Sequence, residues 1–385
     1  MRRLSALRRA GGAIGRHAGG AIGRLAGDDR GAAAATVAIV LGTGVLLGMA
    51  TMVVDVGRLY AEREQLQTGA DAAAWAVAEA CALDPLACPD QAGTAGWYAD
   101  RNAADGTTAV SVVCGAGPGL PACPPPAGNR TDCLGEPPAT TSFVEVRTAT
   151  RLTDGTTLLP PAFAGALAGE HDGTSVGACA RVAWGPPREA TGFAVTFSIC
   201  EWSELTAGGT EYWPVPAVGL PPEEAERVVY LKGSGDEATC PAGPSGWDAP
   251  GGFGWLDDAA DDPPCEVTVE VDGSFGGNTG NSVSQPCRTA LAAAHRDRVP
   301  SFIPIYDGVI DQGAGTTYHL AGFASFVLTG YHMSGFAAPS WLSGRQLCSG
   351  NERCLYGYFT RVLVPTTGVD IGGPDLGVAI VNLVG

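Results

Sequence analysis

The residues best equipped for chemistry are twelve cysteines: Cys81, Cys88, Cys114, Cys123, Cys133, Cys179, Cys200, Cys240, Cys265, Cys287, Cys348 and Cys354. None precedes residue 81 in a chain of 385 residues. An even number confined to one side of the sequence reads as a disulfide framework of an exported region. Each bridge would stabilise the fold by about 2–4 kcal/mol. Scattered core thiols of a reduced protein are the rival reading, and the segregation speaks against them. Zinc fits poorly, because there is no C-x-x-C and no nearby histidine pair. Spacing leaves the connectivity open; Cys81 with Cys88 and Cys348 with Cys354 are the easiest pairs to close.

Other reactive side chains are sparse. His319 and His332 flank a strand-like run and could meet in space, while His171 and His295 stand apart. Structural roles suit all four better than catalysis. Asp257, Asp258, Asp261 and Asp262 could hold a hard cation, but their spacing is no calcium loop, and a solvated acidic loop explains them. No nucleophile elbow, phosphate loop or zinc helix is present. The expectation is a non-enzyme with no catalytic residue, no metal site and no cofactor.

What positions the cysteines begins with an uncharged run from Ala32 to Val54. Its 23 residues match the roughly 20 needed to cross a bilayer core of about 30 Å. Asp55 and Arg58 close it at the membrane edge. A cleaved signal would be shorter and would end in small residues, unlike Met52-Val53-Val54-Asp55-Val56-Gly57-Arg58. Seven arginines precede the run, against Asp28 and Asp29. Positive charge resists translocation, so the N-terminus is expected in the cytoplasm and the rest outside. The expected place is the cell's inner (cytoplasmic) membrane, crossed once, with the lipid bilayer as first partner. Beyond the run, acidic residues dominate in a chain of net charge −17. That balance repels phosphate backbones and argues against nucleic acid. The Gly44 and Gly48 pair would let helix backbones approach closely, giving the span a route to self-association. Asp55 reads either as a solvated interface marker, helped by Arg58, or as a contact for another component's span.

The spacing predicts five regions: a basic cytoplasmic tail over 1–30, a transmembrane helix over 31–57, a stalk helix over 58–81, a small α+β module over 82–185, and a β-rich domain over 186–385. Leu59, Leu66 and Ala73 recur every seven residues along the stalk, which would rise about 30 Å before Pro85 and Pro89 end it. The module should hold a helix over 92–103, strands over 109–114, 142–152 and 175–184, and a short helix near 161–167. Strands are expected at 192–200, 227–232, 266–271, 301–306, 317–328, 356–364 and 376–383, with one helix over 288–297. Acidic, glycine-rich loops should fill 233–264 and 272–286. The fold class is thus one transmembrane helix running into a stalk, then an α+β module and a β-rich, disulfide-braced extracytoplasmic region.

Arg30-Gly31, the apolar run, Val54-Asp55-Val56-Gly57-Arg58, Leu66-Gln67 and Ala70-Asp71-Ala72-Ala73-Ala74 together resemble the TadE/TadG-like proteins of Flp (Tad) pilus assembly. The likeness covers about 50 residues. Phe253 to Asp257, Gly280-Asn281-Ser282 and Phe323 to Tyr331 look like members from actinobacteria. The resemblance implies a membrane-anchored accessory component of a pilus or surface-secretion machine, with pilus-assembly or cell-envelope proteins as partners. Pilin-like relatives carry a glutamate five residues after a cleavage-site glycine. Gly31 is followed instead by Ala32-Ala33-Ala34-Ala35-Thr36, which fits the uncleaved TadG-like branch. Some TadG proteins carry a metal motif, Asp-x-Ser-x-Ser; Asp272-Gly273-Ser274-Phe275-Gly276 lacks its second serine and reads as a glycine-rich turn. A membrane-tethered adhesin or cell-envelope binding module is the alternative function.

Overall fold

The computed structural model describes residues 29–125, 132–139, 141–163, 172–231, 252–256, 265–278, 283–310, 316–364 and 370–385. Most of the expected short helix near 161–167, His171, Cys240, Gly280-Asn281-Ser282 and the aspartates at 257–262 lie outside them.

One helix, α1 (Asp29–Leu83), runs unbroken from the apolar stretch into the head. It contains a window of mean hydropathy 2.3, long and apolar enough to cross a membrane, and that window is unburied. Asp84 precedes Pro85, whose ring disfavours helical backbone before it, and the helix stops at Leu83. A second helix, α2 (Ala92–Asn102), folds back against it.

The first sheet contains β1 (Ala109–Ala116), β2 (Ser142–Ala149) and β3 (Gly177–Gly185), paired antiparallel. The distal half of α1 lies across it. Leu66, Ala70, Ala73, Ala74, Val77 and Ala78 are buried, in the i, i+3, i+4 pattern of a helix face. All but Leu66 pack with Val144, Val146, Ala180 and Val182 of the sheet. From Leu66 onward one face of the stalk therefore packs against the head, because that face is small enough for close approach.

A second sheet follows. Its strands in the order given by pairing are β10 (Pro300–Ile310), β5 (Val195–Ser198), β7 (Phe253–Leu256), β9 (Ser274–Asn278), β11 (Thr316–Met333), β13 (Cys354–Thr360) and β6 (Arg227–Tyr230). Strand β10 also pairs with β11, so β10, β5, β7, β9 and β11 form a closed circuit. The short β12 (Phe336–Ala338) flanks β11, and β4 (Glu189–Phe193) pairs with β8 (Glu266–Glu270). Phe197, Phe253, Phe326 and Phe359 meet edge-on or tilted in the core, with centroids 5.1–6.2 Å apart. Tyr356 and Tyr358 are buried, and desolvation pushes both phenols up to about 12.

Two strands lie where glycine-rich loops were expected. β7 and β9 carry Gly254 and Gly277 against the ring of Tyr318; a Cβ at either would strike it. Glycine lowers strand propensity, so the pattern reads as loop, yet here its missing side chain admits an aromatic ring. The strand expected at 192–200 ends at Ser198, whose hydroxyl accepts from the Glu201 amide at 3.0 Å and starts α3 (Ile199–Leu205). Ser284 caps α4 (Gln285–Asp297) in the same way.

The last strands return. After β13, β14 (Val362–Leu363) and β15 (Val378–Leu383) join the first sheet beside β3. The first sheet thus takes strands from both sides of the boundary expected at 185/186. Long-range pairing of this kind leaves no local mark on the sequence. The return is fixed to the second module by Trp202, whose Nε1 donates to the Leu376 carbonyl at 3.2 Å.

Candidate functional site

The site lies where the apolar stretch of α1 meets the head. Asp55 ends the run. Its Oδ1 accepts from the Ala162 amide at 2.7 Å, and its two oxygens accept from the Phe163 amide at 3.3 and 3.2 Å. Arg58, three residues on, donates from Nη1 to the Pro160 carbonyl at 3.2 Å. Pro160 and Pro161 have no N–H to donate, and the two amides that follow them converge on one carboxylate. Leu159 and Thr174 exchange backbone hydrogen bonds at 3.0 and 3.1 Å and close the base of the loop. Two cavities flank the clasp. One of about 140 Å³ lies between Asp55, Leu59 and Pro160. Another of about 320 Å³ is lined by Val56, Tyr60, Arg63 and Val176.

Above the clasp, polar side chains lock the helix to the sheet. Gln67 Nε2 donates to Asp71 Oδ1 at 2.8 Å and to the Cys179 carbonyl at 2.9 Å. Thr148 Oγ1 donates to the Leu66 carbonyl at 2.9 Å, and Gln65 Oε1 accepts from the Ala104 amide at 2.8 Å. Gly69 sits against α2: a Cβ there would lie 3.2 Å from the Ala99 carbonyl oxygen.

Residues 31–80 match one family model, described as "Putative Flp pilus-assembly TadE/G-like". Helix α1 carries a TadE/G-like segment. No curated protein and no solved structure matches the chain. The match supports a pilus-related role and association with pilus or envelope proteins. It ends three residues short of the end of α1 and includes none of the sheets.

Within the TadE/G-like segment, the quoted residues divide by place. Asp55 and Arg58 hold the loop at 160–163. Leu66, Ala70, Ala73 and Ala74 are buried against the head, and Gln67 and Asp71 bond beside them. Gly44 and Gly48 face open space, with nothing within 4 Å of a Cβ built on either. Asp55 takes its hydrogen bonds from the chain itself, about a hundred residues on. A motif of four residues holds no trace of so distant a partner; the proline pair was the one available signal.

Beyond the segment, five bridges lie among the described residues: Cys81–Cys88, Cys114–Cys123, Cys133–Cys179, Cys265–Cys287 and Cys348–Cys354. Cys200 is disulfide-bonded as well. Glu145 lies near two of these pairs, with ligand-type atoms within 4.8 Å. Both are disulfides and offer no thiolate to a metal. Glu145 instead meets Arg181 at 2.6 Å and Arg147 at 2.7 Å, and Arg147 reaches Asp132 at 3.1 Å. Glu145 and Arg181 are both buried.

Among the described residues, His319 and His332 do not meet. His319 and His332 share strand β11, thirteen residues apart, or about 43 Å of extended chain. His319 Nδ1 lies 2.6 Å from Asp307 Oδ1, and His332 Nδ1 lies 2.8 Å from the Glu352 carbonyl. The expectation that they could meet is corrected by their common strand. Asp272 and Gly273 form the turn between β8 and β9, with Asp272 at φ 62°.

Proposed function

We propose that the protein is a single-pass, membrane-anchored, non-catalytic assembly component of a Tad-like (Flp) pilus or surface-secretion system. In this reading the N-terminus is cytoplasmic and the head extracytoplasmic, and the anchor is the uncleaved TadG-like kind. One observation carries it: the TadE/G-like segment is both the apolar helix and the packing element of the head. Anchor and head then move as one body, as suits a part that positions other proteins at a membrane. The disulfides and the arginine-rich start of the chain support the orientation. The open faces of Gly44 and Gly48 leave room for another span, from a second copy or a machine component.

Deletion of the gene tests the reading. Loss of surface pili, restored by the full chain, is expected; pili of normal number and length in the deletion strain would overturn it. Intact protein extracted from membranes should bring pilus-assembly proteins with it.

A further inference from the structure

The clasp does more than brace the helix, because it fixes the height of a second apolar element relative to the bilayer. The apolar run ends at Val54, so the hydrocarbon boundary lies beside Asp55. Ala162 and Phe163 are bonded to the Asp55 carboxylate through their amides. Phe163 therefore sits within one residue's reach of that boundary. Its side chain is 54% exposed, Leu158 in the same loop is 40% exposed, and Met52 and Val53 on the adjoining helix are 70% exposed. The headgroup layer is about 5–7 Å deep on each side. Tyr60, exposed and five residues above Asp55, is about 7.5 Å higher on the helix and falls at the top of that layer. The stretch from Leu158 to Phe163 carries no charge, which suits contact with lipid.

We infer that the loop at 158–163 is a second, monotopic contact with the lipid surface. Phe163 and Leu158 dip into the interface beside the span, and Tyr60 lies among the headgroups. Aromatic side chains favour this layer, where one end is apolar and the other wet. The tether prevents the head from swinging about the membrane edge, since two points, the span and the loop, rest on the same plane. The occupant is lipid, because the span sets the plane at which Phe163 is held.

This inference rests on the anchoring proposed above, and the test separates the two. The full chain is placed at one copy per nanodisc of zwitterionic phospholipid, with 4-fluorophenylalanine in place of Phe163. A second sample carries the same probe in place of Val40. Fluorine relaxation is read with dissolved oxygen, which concentrates in lipid, and with a water-soluble nickel chelate. At position 163 oxygen is expected to relax the signal more than the chelate, and Asp55→Ala should diminish that excess. If position 163 meets the chelate while position 40 meets oxygen, the loop contact is overturned and the anchor stands. If position 40 meets the chelate, the anchor itself is wrong. A position 163 shielded from both agents would mean that protein covers it, which also overturns the inference. An oxygen excess at position 163 unchanged by Asp55→Ala would overturn the clasp as the cause.

Discussion

Between α1 and the first sheet the helix buries Ala70, Ala73, Ala74, Val77 and Ala78, against sheet residues that include Ala180, Val182 and one aromatic, Trp184; the core of the second sheet includes Phe197, Phe253, Tyr306, Tyr318, Phe326 and Phe359. Burial of a large apolar side chain contributes about 1.5–3 kcal/mol, and an alanine methyl far less. The second module can rely on its aromatic core. The first gains close backbone approach instead, and adds polar locks: the Glu145 ion cluster, Gln67, Thr148, and three of the five described bridges. The TadE/G-like segment supplies the small face, so the part that matches a family is the part whose fit depends on small residues. Membrane helices use small residues for close contact, and α1 keeps that habit outside the apolar run.

Alkaline pH should separate the two modules most. Desolvation pushes the phenols of Tyr212, Tyr356 and Tyr358 up to about 12, all in or against the second module. The unfolded phenol titrates near 10. The neutral form is favoured by folding, so this stability is complete below pH 10 and is lost as pH rises through 12. Stopped-flow tyrosine absorbance after a jump to pH 12 should show the second module opening while amides of the first stay protected. Next come single truncations. Phe326→Ala should cost about 3–5 kcal/mol by cavity formation. Glu145→Ala should cost a similar 3–5 kcal/mol for a different reason, since it strands Arg181 and Arg147 without their shared carboxylate. Urea unfolding followed by a probe in each module would show whether each loss stays local. Replacing Cys133 and Cys179 by serine opens a loop of 46 residues and should cost about 4 kcal/mol, against about 2 kcal/mol for Cys81 with Cys88. Ala74→Leu, which overfills the seam of α1, should cost about 1–3 kcal/mol in thermal melts.

The sequence displayed the long helix plainly, because an uncharged run and a heptad leave periodic marks. It displayed β2, β3, β8 and β10 as alternating or β-branched strings. It hid β7 and β9, whose glycines serve the Tyr318 ring rather than a turn. It hid the return of β15 to the first sheet, since pairing across two hundred residues has no local signature. At the site, Asp55 and Arg58 stood out as charges at the end of an apolar run. Their acceptor and donor groups did not, because these are backbone atoms beside a proline pair, and backbone chemistry is the same at every residue.

The smallest effect belongs to the clasp, and it tests whether the first module's polar locks reach the membrane edge. Asp55→Ala removes a charged acceptor from two amides at an exposed place. A hydrogen bond to a charged group contributes about 1.5–3 kcal/mol, and exposure puts this one at the lower end. A loss of about 1.4 kcal/mol is a tenfold change in an opening equilibrium. Hydrogen exchange at Ala162 and Phe163 should therefore quicken about tenfold, with no change at amides of β11 or β13. Asp55→Asn keeps one acceptor oxygen but loses the charge, and should fall between the two. Arg58→Lys keeps the charge on a shorter-reaching donor and should leave the Phe163 amide as protected as before, because that amide answers to Asp55. If Asp55→Ala instead loosens the buried seam at Ala70 and Ala74, the lock and the small-residue packing are one cooperative unit, and the separation of α1 into a clasped foot and a packed upper half fails.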